Sequence, residues 1–360
     1  MFFADEGFDD TLVSDRFADA VIELIDFLLH NACAGIRYRL RRELLGEPAD
    51  SAAMTALQEE VQAQPNVQRL LARRHADGWL GKELHGGEGL DGSVDALLRA
   101  GVERTSPILQ NVIPAVLHPS SDPAYRTTFR GGAALDDSGL GGDRSVKAQV
   151  LARLGAENND LVRKELAAAL SCFSEALEYC SIDDITRSDA QGRRYYLPNV
   201  RFPGANHLCL LAYTYRWRSD LNLHLLKSAF AHCTALMRDV QGTIFCKHGH
   251  LIGPFGFNWH LDAFSEERIG VPYALLWFVR DLERMAGLEI LHDDLRSAYD
   301  KLWKFAESGA LCERQTEASL RCLRRFAVEP SWQKPEARRC DLLFLPLPAL
   351  YDAGYDVNQL

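Results

Sequence analysis

One stretch constrains the fold more than any other: residues 75–117, HADGWLGKELHGGEGLDGSVDALLRAGVERTSPILQNVIPAVL. A glycine-rich turn carrying Trp79, Lys82, Glu83 and His85 runs into an amphipathic helix over residues 94–100. Gly101 stops that helix, and Thr105-Ser106-Pro107 starts the next. A glycine after the last periodic residue and a Ser-Pro pair at a helix start are the local signals for this reading. Helices joined by short turns become antiparallel neighbours. The stretch therefore reads as one unit of a helical-hairpin repeat, with its polar turn aimed at a central cavity.

The rest of the chain follows the same grammar. Apolar residues recur at helical spacing from Phe17 to Leu29 and from Ile36 to Leu45, the second run ending at Gly46 with Pro48 just beyond. Asp50-Ser51 and Pro65-Asn66 open two more helices. Val162, Leu166, Leu170, Phe173 and Leu177 step by four, four, three and four, one continuous stripe for a core. Further helices are predicted over 145–154, 206–215, 220–240, 272–287, 293–306, 313–326 and 345–351, with Pro346 and Pro348 confined to the first turn of the last. Residues 118–123 and 131–142 read as loops by composition. Arg193 to Pro198 is the one extended signal.

So many helices and so little strand predict an all-α chain of 360 residues in one domain, because no linker marks a boundary. A dozen helices can close into an (α/α) ring of about six hairpins, and an open helical-repeat superhelix is the alternative. The net charge of −10, with both signs mixed, argues against a nucleic-acid partner. The clusters Arg37-Arg39-Arg41-Arg42 and Arg321-Arg324-Arg325 read as solvated helix faces. Nine cysteines without paired spacing read as reduced thiols, the N-terminus lacks a basic leader, and no apolar run reaches bilayer length. The expectation is a cytoplasmic protein with no membrane span.

Three markers carry a family resemblance. They are Ile36-Arg37-Tyr38-Arg39-Leu40 with Glu43-Leu44-Leu45-Gly46, Val67 to Ala72 before Asp77-Gly78-Trp79-Leu80-Gly81, and Ser93 to Gly101 before Pro107-Ile108-Leu109. Together they resemble bacterial proteins of the prenyltransferase and terpenoid cyclase superfamily, in its (α/α) toroid branch. The resemblance is best over residues 36–118 and implies a ring with a cavity. The known chemistries of that superfamily do not come with it. Ser181-Ile182-Asp183-Asp184 and Ala134-Leu135-Asp136-Asp137 lack the leading Asp of the class II acid, and Asp293-Asp294 is not followed by a class I metal box. The Gln-Trp repeats of squalene cyclases are missing as well.

Three groups of residues are candidates for chemistry. In the first, Glu83 or His85 is a general acid or base and Lys82 an anion anchor, with Trp79 beside them. The second spans 245–262, where Trp259, His260 and Asp262 make a pocket wall and Cys246, His248 and His250 would share a face only in a strand. Those three are the nearest thing to a zinc site, and their spacing matches no usual one, so no cofactor is expected, with a zinc-dependent enzyme using Cys246, His248 and His250 as a minor alternative. In the third, Arg201 precedes His207, whose imidazole near a helix N-terminus is favoured neutral, as a base requires; Tyr213 follows. These residues point to an enzyme acting on a small, partly apolar molecule by acid/base chemistry of the isomerase, cyclase or lyase kind. A non-catalytic helical-repeat scaffold for a protein or ligand is the alternative.

Overall fold

The structure is a computed structural model, and it describes residues 22–120, 123–137, 139–198, 200–238, 240, 244–245 and 264–354. Among these the fold is mostly helical. The first half holds α1 (22–31), α2 (Ala34–Arg39), α3 (Ala52–Ala63), α4 (Pro65–Leu71), α5 (Leu90–Arg99), α6 (Pro107–Gln110), α7 (Val112–Leu117), α8 (Gly132–Asp137), α9 (Asp143–Arg153) and α10 (Asp160–Ala176). The second half holds α11 (Ala205–Ala212), α12 (Asp220–Met237), α13 (Ala274–Ala286), α14 (His292–Glu307), α15 (Ala310–Glu313), α16 (Glu317–Leu323), α17 (Pro335–Phe344) and α18 (Leu347–Asp352).

Two local signals act as read: Ser51 accepts from the Met54 amide at the start of α3, and Ser106 from Leu109 at the start of α6. Asn159, which the sequence reading did not single out, caps α10 by accepting from Leu161. Gly46 and Gly101 take left-handed conformations just past their helices, where a Cβ would be strained. Of the predicted stripe, Val162, Leu166 and Phe173 are buried and Leu170 partly so, but Leu177 at its end is 40% exposed.

Four elements differ from expectation. Residues 131–142 are not all loop, because Asp136 accepts from the amides of Gly142 and Arg144 and folds the segment back after the short helix α8. The predicted last helix, 345–351, is α18, but a helix not expected from sequence, α17, precedes it and starts on Pro335. The extended signal near Arg194 belongs to a small sheet. There β2 (Arg194–Tyr196) pairs antiparallel with β1 (Thr186–Ser188) and parallel with β3 (Ile244–Phe245). Finally, α2 runs directly into a π-helical turn, Leu40–Leu44, a widened geometry often found at functional sites.

The packing follows a repeated order. The start of α2 meets the end of α5 across glycine backbone, α5 lies against α9, α9 against α11, α11 against α13, and α13 against α18, which returns to the π turn that follows α2. Helices α3, α10 and α14 pack on α2, α9 and α13 respectively. The α2–α5 seam is close-packed. A Cβ on Gly35 would stand 2.4 Å from the Ala100 carbonyl oxygen and 3.0 Å from Val328. The obstacle is backbone, so the helices must part. Gly35→Ala is expected to cost about 1–3 kcal/mol, read as a lower urea midpoint; an unchanged midpoint would mean the seam is loose.

Candidate active site: a charged central cavity

The six segments in that order share one feature. Each supplies side chains to a single cavity of about 570 Å³. Its wall carries six arginines and five carboxylates together with four tyrosines, Tyr38, Tyr213, Tyr215 and Tyr351, so charged groups dominate it. Two poles can be distinguished.

The first pole is cationic and centred on Asp95. On α5, Asp95 accepts from the Arg99 guanidinium at 2.8 Å and, through its other oxygen, from Arg153 of α9 at 2.7 Å. Arg153 also donates to the Tyr213 hydroxyl at 3.0 Å and lies over its ring at 4.7 Å. Burial would raise the Asp95 pKa, but Arg99, Arg153 and Arg280 outweigh it and hold the carboxyl well below the usual range. Arg284 lies close to the same group, and among the described residues it pairs with the buried Asp281 at 3.3 Å. Arg280 has no carboxylate within ion-pair distance among the described residues and rests on the rings of Trp277 and Phe326. Burial, and then Arg284, lower its pKa.

The second pole is anionic and centred on Arg39. The π turn places Glu43 where both its oxygens accept from Arg39 at 2.8 Å. Glu283 of α13 and Asp352 of α18 face the same space. Neither has a hydrogen bond or ion pair among the described residues. Burial first, then the charges of Glu43 and Glu283, push the Asp352 carboxyl up to about 6 against the pull of Arg39. At the rim, Glu103 accepts from the Tyr38 hydroxyl at 2.6 Å and faces Arg42 at 3.4 Å.

Of the residues picked from sequence, Tyr213 lines this cavity; Trp79, Lys82, Glu83, His85, Arg201 and His207 do not. Trp79 is fully buried and stacks on Tyr125 with ring centroids 4.7 Å apart. Tyr125 in turn donates to Asp77, so the Asp-Gly-Trp turn is a packing device. Lys82 points outward and pairs with Glu88 at 3.5 Å, while Glu83 pairs with Arg126 at 2.8 Å. Arg201 donates to Glu175 and Ser171 rather than standing free as an anchor. His207 is buried and its Nδ1 accepts from the Gly204 amide at 3.2 Å, closing the start of α11. Burial, with help from Arg201, lowers its pKa to about 4. It is neutral as expected, but as a helix cap.

His85 differs from these. Its Nδ1 lies 2.5 Å from Asp91, one turn before Asp95 on α5, and its ring packs on Phe129. Burial would lower its pKa, but Asp91 outweighs burial and raises it. The segment carrying Trp259, His260, Asp262, Cys246, His248 and His250 lies outside the described residues. Among the described residues no group of His, Cys, Asp and Glu side chains is arranged to hold a metal ion. No described helix is long and apolar enough to cross a membrane.

The reading of Arg37, Arg39, Arg41 and Arg42 as one solvated face is also corrected. Arg39 is buried beneath Glu43 and lies over the Phe344 ring at 5.0 Å. Comparison with family models, with curated proteins and with solved structures finds no match for this chain.

Proposed function

We propose that this chain is an enzyme built as an (α/α) toroid, which holds a small molecule in the charged cavity and acts on it by acid/base chemistry of the isomerase, cyclase or lyase kind. The toroid reading is supported by the packing order, in which α18 returns to the π turn beside α2. One observation carries the enzyme reading: Glu283 and Asp352 face the cavity with no ion-pair partner among the described residues. Glu283 is part-buried and Asp352 exposed on that wall, so both carboxylates remain open to a molecule that enters the cavity.

The roles follow from position. Asp352, titrating near 6, carries a proton at slightly acidic pH and accepts one at neutral pH, the range a general acid/base needs. Arg153 and Arg284 orient the substrate and stabilise negative charge as it develops. Tyr213, held by Arg153, is a second proton donor on the same wall. The cavity is within the usual size range for small-molecule sites, but its charged wall replaces the partly apolar substrate expected from sequence with a polar one.

The test is to incubate the protein with a mixed small-molecule extract and follow every mass over time. The expected result is selective loss of one species and gain of another, slowed about a hundredfold or more in Asp352→Asn. An extract that the wild type leaves unchanged, or that Asp352→Asn converts equally fast, would overturn the proposal.

A further inference from the structure

The separation of charge within the cavity says what the substrate carries, on the reading that the cavity is the active site. Around Asp95 stand Arg99, Arg153 and Arg284, three guanidinium groups to two carboxylates, because Asp281 pairs with Arg284 at 3.3 Å. Around Arg39 stand Glu43, Glu283 and Asp352, three carboxylates to one guanidinium. Within each pole the opposite charge is already engaged: Asp95 by Arg99 and Arg153, Asp281 by Arg284, and Arg39 by both oxygens of Glu43. Each pole therefore keeps an excess of its own sign facing the same space. Glu283 and Arg284 are neighbours on α13, one serving each pole, so the division runs across a single helix.

We infer that the ligand is zwitterionic, an amino-acid-like molecule with a carboxylate seated on Arg284 and Arg153 and an ammonium group seated on Glu283 and Asp352. Guanidinium groups match a carboxylate with paired N–H donors. An ammonium has three donors and no acceptor, which carboxylate oxygens satisfy. A diacid would leave the acidic pole repelling one end, and a diamine would leave the arginines doing so. A ligand of either single charge therefore satisfies one pole at the expense of the other.

The experiment is equilibrium binding by calorimetry to the full chain, using ε-aminocaproate, adipate and hexamethylenediamine, an amino acid, diacid and diamine of matched length. The amino acid is expected to bind about tenfold or more tighter than either of the others. Arg284→Gln is expected to weaken amino acid and diacid together, leaving the diamine unchanged or tighter. Glu283→Gln is expected to weaken amino acid and diamine, leaving the diacid unchanged or tighter. The second variant keeps the test decisive if the first does not fold. Equal or tighter binding of the diacid or the diamine, or no binding of any of the three, would overturn the inference. Turnover of some other species in the extract would then survive it, so the two failures are distinguishable.

Discussion

Asp95→Ala is expected to cost about 3 kcal/mol of folding stability, among the largest effects of any single substitution in this protein. The carboxylate is largely buried, 16% exposed, and so are its partners Arg99 at 13% and Arg153 at 22%. Removing it leaves two guanidinium groups facing each other across the space it filled, with Arg280 close by. Exposed pairs contribute far less, about 0–1 kcal/mol, because water screens them. Urea unfolding of the variant and the wild type at neutral pH measures the difference. A loss below about 1 kcal/mol would place Asp95 in the screened class.

Acid gives an independent reading of the same group. The arginines hold the Asp95 carboxyl below its unfolded value, which is near 3.9. As pH falls through that range, the unfolded chain takes up the proton first, so the stabilisation is full above the unfolded value and is lost as pH falls toward the lower, folded one. Asp95→Ala should lack this part of the acid sensitivity, and its stability should fall less steeply than that of the wild type below about pH 4.

Asp341→Ala is expected to cost as much or more, about 3–5 kcal/mol, for a different reason. Asp341 on α17 is 7% exposed and accepts from the Val328 amide at 2.8 Å, from the Glu329 amide at 3.1 Å and from the Trp332 indole. Its loss leaves three donors without an acceptor in the interior, each costing about 1–3 kcal/mol. The loop it holds also meets the start of the fold. The Val328 carbonyl accepts from the Asn66 amide group at 2.9 Å, and the Glu329 carboxylate accepts from the Cys33 amide at 2.7 Å. Asp341 thus fastens the C-terminal helices to the N-terminal ones. Asp341→Asn, which keeps acceptor oxygen, should cost less than the alanine variant. Thermal melting of both, with hydrogen exchange at the Val328 and Glu329 amides, checks the assignment. Equal and small losses would mean water replaces the carboxylate.

The poles of the cavity explain why the candidates from sequence fell elsewhere. Trp79, Lys82, Glu83 and His85 attract notice because ionisable and aromatic residues crowd a short glycine-rich turn. In the structure that crowding is spent locally: on stacking with Tyr125, on pairs with Glu88 and Arg126, and on Asp91. His85 alone gains an orienting carboxylate, which its own turn could not announce. The residues that do converge gave ordinary signals. Asp95 and Arg99, and Arg39 and Glu43, are i,i+4 pairs of opposite charge, indistinguishable in sequence from exposed helix pairs. One hint was present: Arg280 and Arg284 recur at helical spacing through the apolar pattern of α13, an unusual place for two arginines.

What the sequence by itself determined is most of the helices and several of their ends, because periodicity, caps and stops act over a few residues. Ser51 begins α3, Ser106 begins α6 and Gly287 closes α13, each by a local signal. Tertiary structure alone decided that Arg39, Asp95, Arg153, Tyr213, Glu283 and Asp352 share a wall. Those residues lie on separate helices spread through the chain, and whether a charge meets water or another charge depends on how the helices pack around it. Packing is a property of all the segments together, and no local pattern records it.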